Sequence, residues 1–182
     1  MKEIALNIMD ICTNSLHAGA DRISVSIDEK SIPGEMIINI EDNGKGMDKE
    51  IIEMSADPFF TTGTGKKVGL GIPLLKQQAL DTGGRFDIKS APGSGTRIMV
   101  SFIINSVDRQ PAGDLPGVIS LLATSPEGTD IIFKYTSAGG SWAMDTAELK
   151  KELDTDNLNS SKLRKYLKEI IEYNIEKLDP VK

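Results

Sequence analysis

The 182-residue chain has one cysteine, Cys12, one tryptophan and one histidine, and only 5% of its residues are aromatic. A single cysteine excludes an internal disulfide framework and cannot build a zinc cluster of its own, so a reducing compartment is expected. No apolar run approaches the roughly 20 residues that span a bilayer. The opening "MKEIALNIMD" turns polar too early for a signal peptide, and the expectation is a cytoplasmic protein without a membrane partner. Charge of neither sign gathers into a block. The net charge of -6 is mild and no basic stripe carries interleaved aromatics, so no nucleic acid partner is expected. What is present, 39% hydrophobic and 26% charged residues, is ordinary globular composition.

The pattern of apolar residues divides the chain. Ile4, Ile8, Ile11 and Ser15, flanked by Met9 and Leu16, predict a helix over about Lys2 to His17, with Gly19 at its C-terminal cap. "DRISVSID" and "MIINI" alternate as strands around "KSIPGE", and "RFDIKSAPGSGTRIMVSFII" predicts a second hairpin. "MDKEIIEM" and "IPLLKQQALDTGG" read as helices. Two hairpins and two long helices without a βαβ rhythm predict an α+β fold, a two-layer sandwich of a mixed sheet with helices on one face.

"NSVDRQPAGDLPG" marks a linker over 105–117 between a first domain, 1–104, and a C-terminal extension, 118–182. Two or three strands are expected in "VISLLATSPEGTDIIFKYTSAGGSWAM", and an amphipathic helix in "SSKLRKYLKEIIEYNIEKL". The strands would complete a sheet edge and the extension would pack on the first domain; the helix either packs there too or docks a protein partner or a second copy of the chain. Trp142, Tyr166 and Cys12 read as core residues.

On the first helix Asn7, Asp10, Asn14 and His17 fall three or four apart, on one face. Either this is a solvated stripe, or short amides and one carboxylate line a site. An amide oxygen such as that of Asn14 suits Mg²⁺, which keeps several waters. Asp10, one turn earlier, can orient or deprotonate an attacking water or hydroxyl. "EDNGKGM" follows the strand "MIINI": either a surface turn, or a site in which Asp42 accepts a purine amino proton while Gly44 and Gly46 let the backbone approach the ring. "TTGTGKKVGLGI" is a glycine-rich loop feeding a helix whose first amides can receive phosphate, and it lacks the P-loop spacing.

The order of these pieces resembles the motifs of the GHKL superfamily, which includes gyrase, Hsp90-type chaperones, histidine kinases and MutL. The asparagine box, "DNGKGM", "DPFFTTGTGKKVGLGI" and "GSGTRIMVSF" stand in the family's order over roughly residues 1–104. The resemblance implies the Bergerat ATP-binding fold, with ATP and Mg²⁺ as cofactors. It places Mg²⁺ on Asn14, the adenine amino group on Asp42, and Gly44 and Gly46 in the adenine pocket, with Thr96 supporting Asp42 through water. Gly69, Leu70 and Gly71 would offer amides to the phosphates, Thr61 and Thr62 would open the lid over 61–68, and Lys66 and Lys67 would add charge to the phosphates. "NSLHAGAD" is similar to the MutL and gyrase branch, whereas "DPFFTTGTGKKVGLGIPLL" is similar to the histidine-kinase branch. The asparagine box begins almost at Met1, and His17, the one histidine, lies inside it. Autophosphorylation of the usual kind is therefore not expected. The chain resembles stand-alone histidine-kinase-like ATPases, with phosphoryl transfer to a protein in trans, as in anti-sigma-factor kinases, or to water. The alternative is a non-hydrolysing ATP-dependent switch that binds a partner.

Overall fold

The computed structural model describes residues 3–55, 71–125 and 128–178. In chain order these form α1 (Ile4–His17), β1 (Arg22–Asp28), β2 (Glu35–Asp42), α2 (Lys49–Ser55), α3 (Gly71–Asp81), β3 (Phe86–Ser90), β4 (Thr96–Ile103), α4 (Leu115–Ala123), β5 (Asp130–Ser137), β6 (Gly140–Asp145), α5 (Thr146–Glu152) and α6 (Ser161–Leu178). One six-stranded sheet runs in the order β3-β4-β2-β1-β5-β6. Every pairing is antiparallel except β1 with β5, which is parallel. The sheet is mixed and the fold is the α+β sandwich expected.

Alternation decides which way the sheet faces. Ile23, Val25 and Ile27 on β1, Met36, Ile38 and Ile40 on β2, Ile98, Val100 and Phe102 on β4, and Ile131, Phe133 and Tyr135 on β5 are all buried. They form one core with the inner faces of α1, α3, α4 and α6. The intervening residues, such as Ser24, Glu41, Arg97 and Lys134, turn to the other face, as expected for a sheet with one solvated side. The two hairpins and their registers follow the sequence pattern.

Helix α1 starts at Ile4 and ends in a Schellman turn. Gly19, at φ +74, donates to Leu16 and Ala20 donates to Ser15, which satisfies two late carbonyls. Two expectations are corrected beyond Ile103. "VISLLA" lies in helix α4 rather than a strand, because Asp114 accepts from the amide of Gly117 at 2.9 Å and Pro116 occupies the first turn. Leu115, Val118, Ile119 and Leu122 then share its buried face. Tyr166 is 60% exposed, because Leu167 and Ile171 form the buried stripe of α6. Strand β5 joins β1 in register Arg22 to Asp130, and β6 closes that edge. Trp142 on β6 meets Phe133 edge-on at 6.3 Å and is half-buried. Cys12 is fully buried, and that burial, followed by the charge of Asp42, pushes its thiol up to about 12.

Candidate functional site

Asp42 is the last residue of β2 and continues the inward set Met36, Ile38, Ile40 toward α1. An ending of this kind puts a carboxylate at the rim of the core. Ser15 on α1 donates its hydroxyl to Oδ2 of Asp42 at 2.6 Å, and the amide of Gly44 donates to Oδ1 at 2.9 Å. Each oxygen keeps a further lone pair for a ligand donor.

The chain beyond Asp42 is locked by the Asn43 side chain and by backbone contacts. Asn43 accepts from the amides of Asp21 and Arg22 and donates to the Asp21 carboxylate at 2.6 Å, tying the loop to the start of β1. Lys45 donates its amide to Ala18 at 3.0 Å, and Gly93 donates to Lys45 at 2.7 Å. A side chain on Gly44 would press on Ala18 and on Asp42 Oδ1, at 3.0 and 3.1 Å. Gly46, at φ +67, lies so near Ala91 that a Cβ would collide with its carbonyl, and a Cβ on Gly95, at φ +74, would collide with the carbonyl of Asp42.

Thr96 lies directly across the ladder from Asp42. Its hydroxyl is 3.0 Å from that of Ser90, which accepts from the Met47 amide at 2.8 Å and donates to the Gly95 carbonyl at 2.7 Å. A groove of about 360 Å³ runs past Asp42, Ser90, Gly95 and Thr96. Its outer rim carries Arg97 and Glu41, paired at 3.0 Å.

The polar face of α1 is not uniform. Asn7 is fully buried and donates to Gln78 on α3, so it belongs to the seam between the two helices. Asp10 is half-buried, whereas Asn14 and His17 are exposed. Gly71, the first residue of α3, is buried against Asp10, and an added Cβ there would lie 3.1 Å from Asp10 Cβ. The Asp10 carboxylate therefore sits beside a helix N-terminus, where backbone amides lack intrahelical partners. The structure thus gathers Asp10 and Gly71 at one point and Asp42, Gly44, Gly46 and Thr96 at another, with Asn14 on α1 beside Ser15. Thr61, Thr62, Lys66, Lys67, Gly69, Leu70 and the lid over 61–68 lie outside the described residues. Among the described residues no group of three His, Cys, Asp or Glu side chains gathers to hold a metal.

Ser15, Asn43, Ser90 and Gly95 were not singled out as site residues by the sequence. Ser15 stands immediately after Asn14, and Gly95 sits in "GSGTR", so a signal existed for both. Asn43 and Ser90 act through partners 21 and 43 residues away, which no local pattern reveals.

Residues 2–106 match the family model described as histidine kinase-, DNA gyrase B- and HSP90-like ATPase, more than half of the chain. The chain belongs to this family. Among similar curated proteins are the sensor histidine kinase ZraS of Klebsiella oxytoca, 26% identical over 114 residues, and the sensor kinase CckA of Brucella abortus, 32% identical over 82 residues. The first match covers 62% of this chain and 24% of the relative, the second 44% and 9%. The chain thus spans at most about a quarter of the length of these relatives. The mycobacterial sensor histidine kinase MprB is a structural neighbour at 23% identity and a TM-score of 0.42, covering 53% of this chain and 66% of that one. No helix of the described residues is long and apolar enough to cross a membrane.

Proposed function

We propose that the chain binds ATP with Mg²⁺ and directs phosphoryl transfer to a protein in trans or to water. The observation that carries this reading is Asp42, oriented at both oxygens by Ser15 and the Gly44 amide, at the mouth of a loop where glycine keeps space open. A carboxylate so held accepts the amino proton of adenine and rejects a keto group at that position, which would face it lone pair to lone pair. Gly44 and Gly46 let the ring lie against the backbone. Thr96, across the ladder, supports the strand end that carries Asp42.

Asn14, together with Asp10 and Gly71, fits a hydrated metal and a phosphate. Asn14 presents a neutral hard oxygen from an exposed position, the setting of a cation that retains waters. When bound, Mg²⁺ supplies charge neutralisation on the phosphates. Gly71 opens α3 beside Asp10, so the helix amides and their partial positive charge face the phosphate end. Asp10 orients the attacking water or hydroxyl and takes up its proton. The family resemblance adds amides of Gly69 and Leu70 and the charge of Lys66 and Lys67 to the phosphate contacts, and assigns Thr61 and Thr62 to the lid.

Incubation with Mg²⁺ and γ-labelled ATP, following free phosphate and protein-bound label, tests the reading in wild type and Asp10→Asn. The expected result is label released by wild type, or transferred to an added protein acceptor, and a loss of about 100-fold or more in the variant. ATP bound without release or transfer would replace this reading by the ATP-dependent switch.

A further inference from the structure

Helices α1 and α3 give Ile4, Ile8 and Ile11 on one side and Ile72, Leu75 and Ala79 on the other to the core, all of them buried. A polar pair interrupts this apolar seam. Asn7 is fully buried, and its amide nitrogen donates to Gln78 Oε1 on α3. The Asn7 Oδ1 is buried too, and among the described residues nothing donates to it. An amide oxygen taken out of water and left without a donor is destabilising. A leucine of similar volume would hold the two helices together at least as well, so stability does not account for the asparagine.

What the pair does supply is register. Apolar packing lets one helix slide along another with little change in buried area, whereas a hydrogen bond is directional and holds one alignment. The alignment held here is that of the site. Asn7 stands one turn before Asp10 on α1, and both turn to α3: Asp10 to Gly71, where an added Cβ would lie 3.1 Å from Asp10 Cβ, and Asn7 to Gln78. Side chains tilt toward the N-terminus of their own helix, so Gln78 reaches back along α3 in the direction of Gly71. It lies in the body of the helix, about two turns after Gly71, and is joined rigidly to the first amides without occupying them.

We propose that Asn7 and Gln78 are positioning residues that set the start of α3 against Asp10. Gly71 lets the helix end approach the carboxylate, and the bond from Asn7 to Gln78 stops that end from moving along α1. Together they fix the distance between the amides that receive phosphate and the group that orients the nucleophile. The inference rests on the reading of Asp10 and Gly71 given above, and adds to it the device that holds the two in step.

Thermal unfolding and steady-state turnover of ATP with Mg²⁺, to free phosphate or labelled acceptor, test this on the full chain in three forms. These are wild type, an apolar pair (Asn7→Leu with Gln78→Met) and an exchanged pair (Asn7→Gln with Gln78→Asn). The apolar pair replaces both partners at once, leaves no bare amide and should melt no lower than wild type. Its kcat should fall about tenfold or more, since misplacing a reacting group by about 1 Å can cost about 100-fold. KM should change by less than about threefold, because Asp42 and its loop are untouched. The exchanged pair keeps an amide-to-amide bond of the same total length and should recover most of the loss. A merely structural asparagine gives the opposite pattern, a lower melting temperature with kcat unchanged, and that overturns the proposal. So does an exchanged pair as slow as the apolar one. Wild type that turns over while the apolar pair matches its kcat overturns this inference alone. Wild type that binds nucleotide without releasing or transferring phosphate, or binds none, overturns it together with the reading of Asp10.

Discussion

Around Asp42 the chain is held by close backbone approaches and short polar side chains, whereas on the flank of α4 and α6 it is held by long side chains and apolar packing. In the first region Gly46 and Gly95 bring loops to within contact of Ala91 and Asp42, and the side chains involved are short: Ser15, Asn43, Ser90, Thr96. In the second, Leu122, Phe133, Leu167 and Ile171 fill a core, and long side chains such as Arg164 and Lys168 bridge the helix ends. The difference teaches what each region is for. Backbone contacts fix geometry within tenths of an ångström and tolerate no added atom. Apolar packing supplies stability and tolerates substitution of similar volume.

That contrast is broken most severely at Gly95. Gly95→Ala places a Cβ into the Asp42 carbonyl at a φ that side chains avoid, and should cost about 3 kcal/mol or more. Urea denaturation measures it, and a loss under about 1 kcal/mol would mean that the loop has room to shift. On the packed flank, Ile171→Ala removes a fully buried side chain and should cost about 2 to 4 kcal/mol by the same measurement. Nucleotide affinity should stay unchanged when measured below the unfolding transition, since Ile171 lies on α6 and lines neither site point. A parallel loss of affinity there would erase the distinction between the regions.

Ser15→Ala sharpens the comparison. It removes one hydrogen bond to Asp42 and should cost about 1 kcal/mol of stability. ATP affinity should fall about tenfold as the carboxylate loses its orientation, a change that a purely structural serine would not produce. Smallest is the effect of Asp114. A hydrogen bond from Lys168 holds the Asp114 carboxyl below the ordinary carboxylate range, opposed by partial burial, and the amide of Gly117 adds to the lowering. A depressed folded value contributes stability that is present above the unfolded value of about 4 and is lost as pH falls through the folded one. Asp114→Asn should therefore lower the melting temperature slightly at neutral pH and flatten its decline in acid. An unchanged acid limb would show that the pair contributes nothing.

The same contrast explains what the sequence let one read. Both hairpins were readable because alternation is a local signal, and Asp42 was readable because a carboxylate closing an inward-facing strand before "NGKG" is an unusual ending. Family membership was readable from four ordered motifs. Helix α4 was not, since "VISLLA" is a short apolar run that suits a strand or a buried helix, and the deciding cap, Asp114, sat within a stretch rich in proline and glycine. The exposure of Tyr166 was hidden because α6 carries two adjacent apolar stripes and only one meets the core. Ser15, Asn43 and Ser90 depend on which strand ends lie beside which loops, and that is settled only by the assembled sheet.

The most direct test of the central claim is the affinity for ATP and for GTP, by isothermal titration calorimetry with Mg²⁺ present, of wild type and a folded Asp42→Asn. The account predicts that wild type prefers ATP by about tenfold or more and that the variant loses ATP binding by about 100-fold, because the amide's own donors can turn toward the adenine amino group. Equal affinity for both nucleotides, or a folded variant that binds ATP as wild type does, would contradict the assignment of Asp42 as the adenine acceptor.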